Sequence, residues 1–404
     1  MHALKNFEKY IPYLLPFLLI FFRGLADLTV LLIGMIFLYK SYKDSNWLWA
    51  KEKWFKFSLI FFLYLLIINS SLSINPQDSI FYAITFLRWP IFAIALYFWV
   101  FKSDEAINKF MLALTLVLFF IIIDVWYQFI TGEDIFGYEK YNPGRLTGPL
   151  RNNPIVGIFI TKYLYLALTS LIIFKVFNKR SLRTIYFISL ILLGFMSVLI
   201  SGERMSFILF TSSIFIVIAG LVGRNIRKIY ILLITIFLLF GCLEIIRITY
   251  PLVSERAINS MIYKLQNFTN SDYGMVFRTA YHVWLQNPLF GGGLHQFKEL
   301  PDLYGVNIWE GATIFHPHNH PLSLLAETGI VGLVLFYTVV IQIFKQALTP
   351  AINKKNWFKL ALLFNLLYMC FFPFMTHFSF QHNWMNATNW LIVGFVLALA
   401  KKYE

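Results

Sequence analysis

A dozen apolar stretches, separated by short polar breaks, run from residue 11 to residue 400. They cover 11–22, 24–39, 55–70, 80–101, 107–130, 154–174, 185–200, 205–223, 228–248, 322–344, 357–374 and 385–400. A chain of 404 residues that is 59% hydrophobic and 13% charged cannot hide that surface from water, but a bilayer can. Several stretches are shorter than the roughly 20 residues of a straight span, so their ends must extend into polar flanks. The expectation is an all-α integral membrane protein of about twelve transmembrane helices, with a large helical periplasmic loop between the ninth and tenth. Helices one to nine would occupy residues 1–248, the loop 249–321, and helices ten to twelve with a cytoplasmic tail 322–404. Lys5 and Lys9 precede the first apolar run and no small-residue cleavage site follows it. It reads as an uncleaved first helix.

Basic residues fix the sidedness, because cytoplasmic loops are enriched in Lys and Arg. With the N-terminus inside, 22 of the 34 Lys and Arg fall in inside segments, and the outer loops 71–79 and 375–384 hold none. The formal charge of +14 therefore comes from runs between apolar spans, not from one soluble face, which argues against a nucleic-acid partner. Twelve basic residues break the pattern: Arg23, Arg88, Lys140, Arg145, Arg151, Lys162, Arg204, Arg247, Arg256, Lys264, Arg278 and Lys298. Of eight histidines, all but His2 fall outside. Reactive groups thus gather on the non-cytoplasmic side. Cys242 and Cys370 both lie in apolar runs, which argues against a disulfide framework or a thiolate metal site.

Arg204 sits in a minimal outer turn, residues 200–205. It reads either as an interfacial anchor or as a fixed guanidinium for a phosphate, whose oxygens an Arg fork matches. Arg278 and His282 are four apart on one helix face, with Phe277, Tyr281 and Trp284 available to press the other face onto the membrane. Asp272 is the expected N-cap of that helix and Asn287-Pro288 its end. Gly291-Gly292-Gly293 permits a tight turn or close approach of a ligand. His316, His318 and His320 alternate, so an extended backbone would aim them one way, toward a metal or as a general base. Glu327, further along the next helix, could orient a His, move a proton or pair with a base. Arg88 falls mid-span, where an ionisable group is a functional candidate by default. Arg145 and Arg151 are available for an outer basic cluster.

Arg204 in its short turn, Arg278 followed by Asn287-Pro288-Leu289-Phe290-Gly291, the turn ending Gly293-Leu294-His295-Gln296-Phe297, and His318-Asn319 followed by Leu322, Leu325, Glu327, Gly329 and Gly332 together resemble the O-antigen ligase family. Gly144-Arg145-Leu146-Thr147-Gly148 through Asn153-Pro154 resembles it too. The family lies within the ligase and polymerase superfamily of bacterial surface glycans. The resemblance implies an inner-membrane glycosyltransferase with its active site facing the periplasm. The transfer would be inverting and independent of metal or cofactor. The donor would be a glycan on undecaprenyl pyrophosphate and the acceptor a sugar hydroxyl of lipid A-core. By the same resemblance Arg204 and Arg278 hold the pyrophosphate and His318 deprotonates the acceptor; Arg145, Arg151, Arg88, His282, Asn319 and Glu327 are the expected substrate-binding residues. A polymerase of the same superfamily, a protein O-oligosaccharyltransferase and a lipid-linked glycan transporter are the alternatives. Transport is disfavoured by the absence of an internal repeat and the placement of polar residues in outer loops.

Overall fold

Apolar periodicity too dense for one face gives way to helices on every long stretch, and no strand occurs among the described residues. The computed structural model describes residues 2–173, 180–223, 229–306, 308, 314, 316–374 and 382–402. Lys175, Lys179, Arg224, Arg227, Lys228, Phe315, His377 and the segment 375–381 lie outside the described residues.

The main helices are α1 (His2–Phe21), α2 (Arg23–Lys43), α3 (Lys53–Leu63), α4 (Pro76–Phe86), α5 (Arg88–Ala95), α6 (Asp104–Thr131) and α7 (Val156–Leu168). After these come α8 (Arg180–Ile200), α9 (Arg204–Val222), α10 (Ile229–Thr249), α11 (Asp272–Gln286), α12 (His320–Asn353), α13 (Trp357–Phe371) and α14 (Asn383–Lys402). Six described helices are long and apolar enough to cross a membrane: Arg23–Lys43, Pro76–Val100, Asp104–Thr131, Arg204–Val222, Leu232–Thr249 and His320–Asn353. Val156–Leu168, Thr184–Ile200 and Trp357–Phe371 are apolar but shorter. The expected polar break between the first two stretches is present, with Phe22 leaving helical geometry at φ −137°.

Contacts sort the loops onto two ends. At one end Lys40 pairs with Glu8, Trp99 donates to Glu8, and Lys402 reaches Asp104 at 2.8 Å. At the other, Arg23 meets Leu150, Leu146 meets Ser201, and Ile74 meets Gly292. The first end carries the lysines of the sequence map, and the second carries Arg204, Arg278 and His318.

The last long crossing helix but two, α12, is broken by Gly329, whose φ of 66° lies in the left-handed region. A break frees backbone carbonyls, and apolar surroundings leave them no water. The Gly-rich turn supplies their partners. Gly292 N–H donates to Ala326 O at 2.9 Å and Gly293 N–H to Glu327 O at 3.0 Å. Tyr64 hydroxyl donates to Thr328 O at 2.6 Å. Asn69 lies in a π-helical continuation of α3, Tyr64–Asn69. Its amide donates to Phe290 O at 2.8 Å and Glu327 O at 2.9 Å, while its carbonyl accepts from Leu294 N–H at 3.1 Å. A Cβ on Gly291 would stand 2.4 Å from the Glu327 carbonyl carbon, so the glycine is there for backbone-to-backbone contact. The close approach foreseen for a ligand is made by the chain's own broken helix.

Between α10 and α12, the buried face of α11 (Val276, Ala280, Val283) packs on Phe297, Leu300, Ile314 and Ala326 as a second small core. Its cap is Ser271, one residue before the expected Asp272; the Ser271 hydroxyl accepts from Gly274 N–H at 3.2 Å. On the other face Phe277 meets Phe268 edge to face, the Trp284 indole donates to Pro288 O at 3.1 Å, and Tyr281 is exposed.

At the start of α14, His382 Nδ1 accepts the Met385 amide at 3.4 Å, and burial, with Arg23 adding to it, pushes the imidazole pKa down to about 4. A lowered histidine pKa gives stability that is full above the unfolded value, near 6.5, and lost as pH falls toward 4. Purified wild-type protein should therefore show a melting temperature that declines from pH 6.5 to pH 4. His382→Asn, which keeps an acceptor but does not titrate, should flatten that decline; an unchanged slope would remove His382 from the account. Asn69→Leu orphans the Leu294 amide and the Phe290 carbonyl at about 1–3 kcal/mol each, so it should lower the melting temperature clearly. Gly241→Ala, inside α10 where an added Cβ meets nothing within 4 Å, should not lower it.

Candidate active site

The turn that carries Arg204 is pinned on two sides. Glu203 accepts the Ile158 amide at 3.0 Å near the start of α7, and Ser201 O accepts the Leu146 amide at 3.1 Å. Gly202 has φ 68°, and a Cβ on it would lie 1.8 Å from Gly144 O. Arg204 leaves this clamp in one direction. Its Nε donates to Arg256 O at 3.1 Å and its Nη2 to Ser260 Oγ at 2.7 Å. Arg256 returns the contact, Nε to Gly202 O at 3.3 Å, and passes 3.4 Å from where a Gly144 Cβ would be. Arg145 beside it donates to Pro154 O through Nε at 3.3 Å and Nη2 at 3.0 Å.

Arg145, Arg204 and Arg256 thus form one guanidinium cluster. Burial lowers the Arg256 pKa from the usual arginine value, and the charges of Arg145 and Arg204 lower it further. Among the described residues no carboxylate makes an ion pair with any of the three. Cations held together by carbonyl contacts, with no anion between them, form a site that a bound phosphate stabilises.

Asp272 and Tyr273, at the start of α11, connect this cluster to the histidines. Lys264 binds the Asp272 carboxylate at 2.6 Å, and this hydrogen bond holds the Asp272 pKa below the ordinary carboxylate value, with Arg204 adding to the effect. Lys264 Nζ also lies 5.7 Å from the Tyr273 ring centre. Tyr273 in turn meets the His318 ring edge to face at 5.8 Å. His318 has φ 51°, a left-handed conformation that histidine reaches more readily than most residues but that remains uncommon. His316 fixes it: the His318 amide donates to His316 Nδ1 at 3.2 Å, and the two rings are 4.0 Å apart. Such a backbone outlier, supported by its neighbours, is typical of functional positions.

The alternation of the three histidines does not persist in space. The left-handed residue breaks the extended run, and His320, first residue of α12, lines a separate narrow cavity with Phe86, Trp89, Cys370, Asn386 and Asn389. Among the described residues no three His, Cys, Asp or Glu side chains group as a metal site.

Arg278 is exposed and reaches back along α11, its Nη2 donating to Thr269 O at 3.0 Å. That brings its guanidinium toward the helix end that carries Asp272 and Tyr273. His282 is exposed against Tyr281, at 5.8 Å between rings. Asn319 is the N-cap of α12, its carbonyl accepting the Leu322 amide at 3.0 Å. Glu327 is buried and accepts the backbone amides of Phe297, at 3.4 Å, and His295, so it ties the Gly-rich turn to α12. Its contacts are those of a scaffold. Arg88 does not stand in isolation: it bonds Asn383 at the start of α14, with Asp27 bonded to the same Asn383. Arg151 stands near Arg23 and 6.0 Å from the Tyr138 ring, so of the two loop arginines only Arg145 joins the guanidinium cluster.

Arg256, Lys264 and Tyr273 were not singled out for the site from sequence. The first two carried a signal, since both break the orientation bias of basic residues. Tyr273 carried none. Lys162 broke the same bias and is wholly buried, donating to Asn389 at 2.6 Å.

Residues 188–337 match the family model described as O-Antigen ligase. The matched stretch contains Arg204, Arg256, Lys264, Arg278, His316, His318 and Glu327, and it begins after Arg145. Comparison with curated proteins gives no match. This stretch, which unites the Arg204 turn, α11 and the first half of α12, is where the chain is similar to the O-antigen ligase family.

Proposed function

We propose that the protein is an inverting glycosyltransferase that moves a glycan from undecaprenyl pyrophosphate to a sugar hydroxyl of lipid A-core, at the periplasmic face of the bacterial inner membrane. The observation that carries this reading is the cluster of Arg145, Arg256 and Arg204, linked by its charge to Asp272 and Tyr273, which contact Lys264 and His318. It puts fixed cations and a candidate base on one connected surface at one end of the helices.

The chemistry follows from that placement. The acceptor hydroxyl oxygen attacks the anomeric carbon as His318 takes its proton. The bond from that carbon to the pyrophosphate oxygen breaks, and the electron pair leaves with the pyrophosphate. Arg204 and Arg256 are held before the charge develops, which is how preorganised donors lower a barrier. Arg278 serves the same charge from α11, and Arg145 extends the binding surface. His316 positions His318 through its backbone amide. Asn319 and Glu327 act on the frame that holds the site. The apolar faces of the helices take the polyprenyl tail.

A lysine replaces the guanidinium fork with a point charge. Arg204→Lys and Arg278→Lys should each insert and accumulate normally yet lose about a hundredfold in rate, on the order of 3 kcal/mol. Near-normal turnover would return either residue to an anchoring role. His318→Ala should be inactive, while His316→Ala and His320→Ala should be only impaired. The wild-type rate should rise with pH through roughly 6 to 7 as an imidazole base loses its proton. Purified enzyme should be indifferent to EDTA; loss of turnover on chelation with recovery on adding a divalent ion would overturn the base assignment.

A further inference from the structure

The end of the helices opposite the arginine cluster carries a second charged cavity. A cleft of about 640 Å³ opens between the start of α3 and the last turns of α12. Lys51, Lys53, Lys345 and Lys354 line it with a single carboxylate, Glu52. All four lysines are exposed, and among the described residues none of their ammonium groups has an ion-pair or hydrogen-bond partner. Among the described residues the excess of cations is therefore uncompensated. The start of α3 faces the same space, and its N-cap, Glu52, makes no side-chain capping bond. The uncapped amides and the helix dipole add to the preference for an anion.

The surroundings identify the kind of anion. Immediately before Lys51, Trp47 and Leu48 are exposed, a pairing suited to the headgroup and acyl boundary. Away from the cleft, exposed apolar stripes continue along the same two helices: Ile60 and Leu63 on α3, Val334 and Ile341 on α12. A soluble anion would use the lysines alone. A lipid would use the lysines for its phosphate and the stripes for its chains.

We propose that this cleft binds the headgroup phosphate of an anionic phospholipid, with its acyl chains laid along the exposed faces of α3 and α12. Basic pockets between membrane helices have this chemistry, and each nearby cation adds to the attraction. The site is independent of the transfer reaction and uses none of its residues.

Native mass spectrometry of the detergent-solubilised full chain, titrated with phosphatidylglycerol or phosphatidylcholine, tests the proposal. Phosphatidylglycerol should bind more tightly by about tenfold or more, given four lysines at the site. The combined variant Lys51→Gln, Lys53→Gln, Lys345→Gln and Lys354→Gln should bring the two lipids level. Millimolar inorganic phosphate should not displace phosphatidylglycerol from the wild type. Equal binding of the two lipids, a preference that survives in the variant, or full displacement by inorganic phosphate would each overturn the proposal; the last would make this a soluble-anion site. Should the variant fail to accumulate, salt decides on the wild type alone. The phosphatidylglycerol preference must fall as NaCl rises from 0.05 to 0.5 M, where the Debye length shrinks to a few Å, about 4 Å, and a preference indifferent to salt contradicts the proposal.

Discussion

A helix interrupted among apolar helices must have its freed carbonyls bonded inside the protein, and the break of α12 at Gly329 imposes that requirement on α3 and the turn after α11. Asn69 and Tyr64 from the π-helical end of α3, and Gly292 and Gly293 from the turn after α11, meet it together. In doing so they fix where α11 can lie. The second core under α11 then rests on Ala326, two residues before the freed Thr328 carbonyl. Glu327 adds a carboxylate bond to the same turn from within the unwound region. The frame of the candidate site is thus set by the repair of a broken helix, and the loop between α10 and α12 is anchored to the helices at its base.

The clamp around Arg204 applies the same economy at a smaller scale. Glu203 accepts a backbone amide of α7, Gly202 lets the turn touch Gly144, and Arg256 closes the contact from the far side. The bonds that position Arg145, Arg204 and Arg256 go to carbonyls and a hydroxyl, and among the described residues none of the three makes an ion pair. Arg145, Arg204 and Arg256 are partly buried, and like charges gathered with reduced access to water repel one another. Retaining such an arrangement makes chemical sense where an anionic ligand completes it. His318 expresses the same logic in its backbone, held at φ 51° by a bond from its own amide to His316.

Much of this was legible in the sequence, and the limits have physical causes. Apolar stretches and lysine placement marked the helices and separated the two ends, because both signals are local. Arg204 was legible because so short a turn leaves no freedom. The partner of Arg204 was not, since Arg256 lies 52 residues away and converges only through the fold. Gly291-Gly292-Gly293 announced close approach without saying to what, and the approach is to the backbone of α12. One left-handed residue breaks the histidine alternation: the His316 and His318 rings stay 4.0 Å apart, while His320 lines a separate cavity. Arg88 looked stranded at mid-span because its neighbours Asn383 and Asp27 lie far away in sequence and meet it only through the fold. Asp272 was read as a cap one residue too late, within the ordinary uncertainty of helix ends. Its side chain instead binds Lys264.

The account rests on the guanidinium cluster and His318 making one transfer site, which reconstitution addresses most directly. Purified protein in proteoliposomes would be given a defined glycan on undecaprenyl pyrophosphate and lipid A-core as acceptor, and the product examined by mass spectrometry and proton NMR. The account predicts an acceptor heavier by one glycan, released undecaprenyl pyrophosphate, and an anomeric configuration opposite to that of the donor bond. Donor that crosses the bilayer unconsumed, or a product that retains the donor configuration, would contradict it.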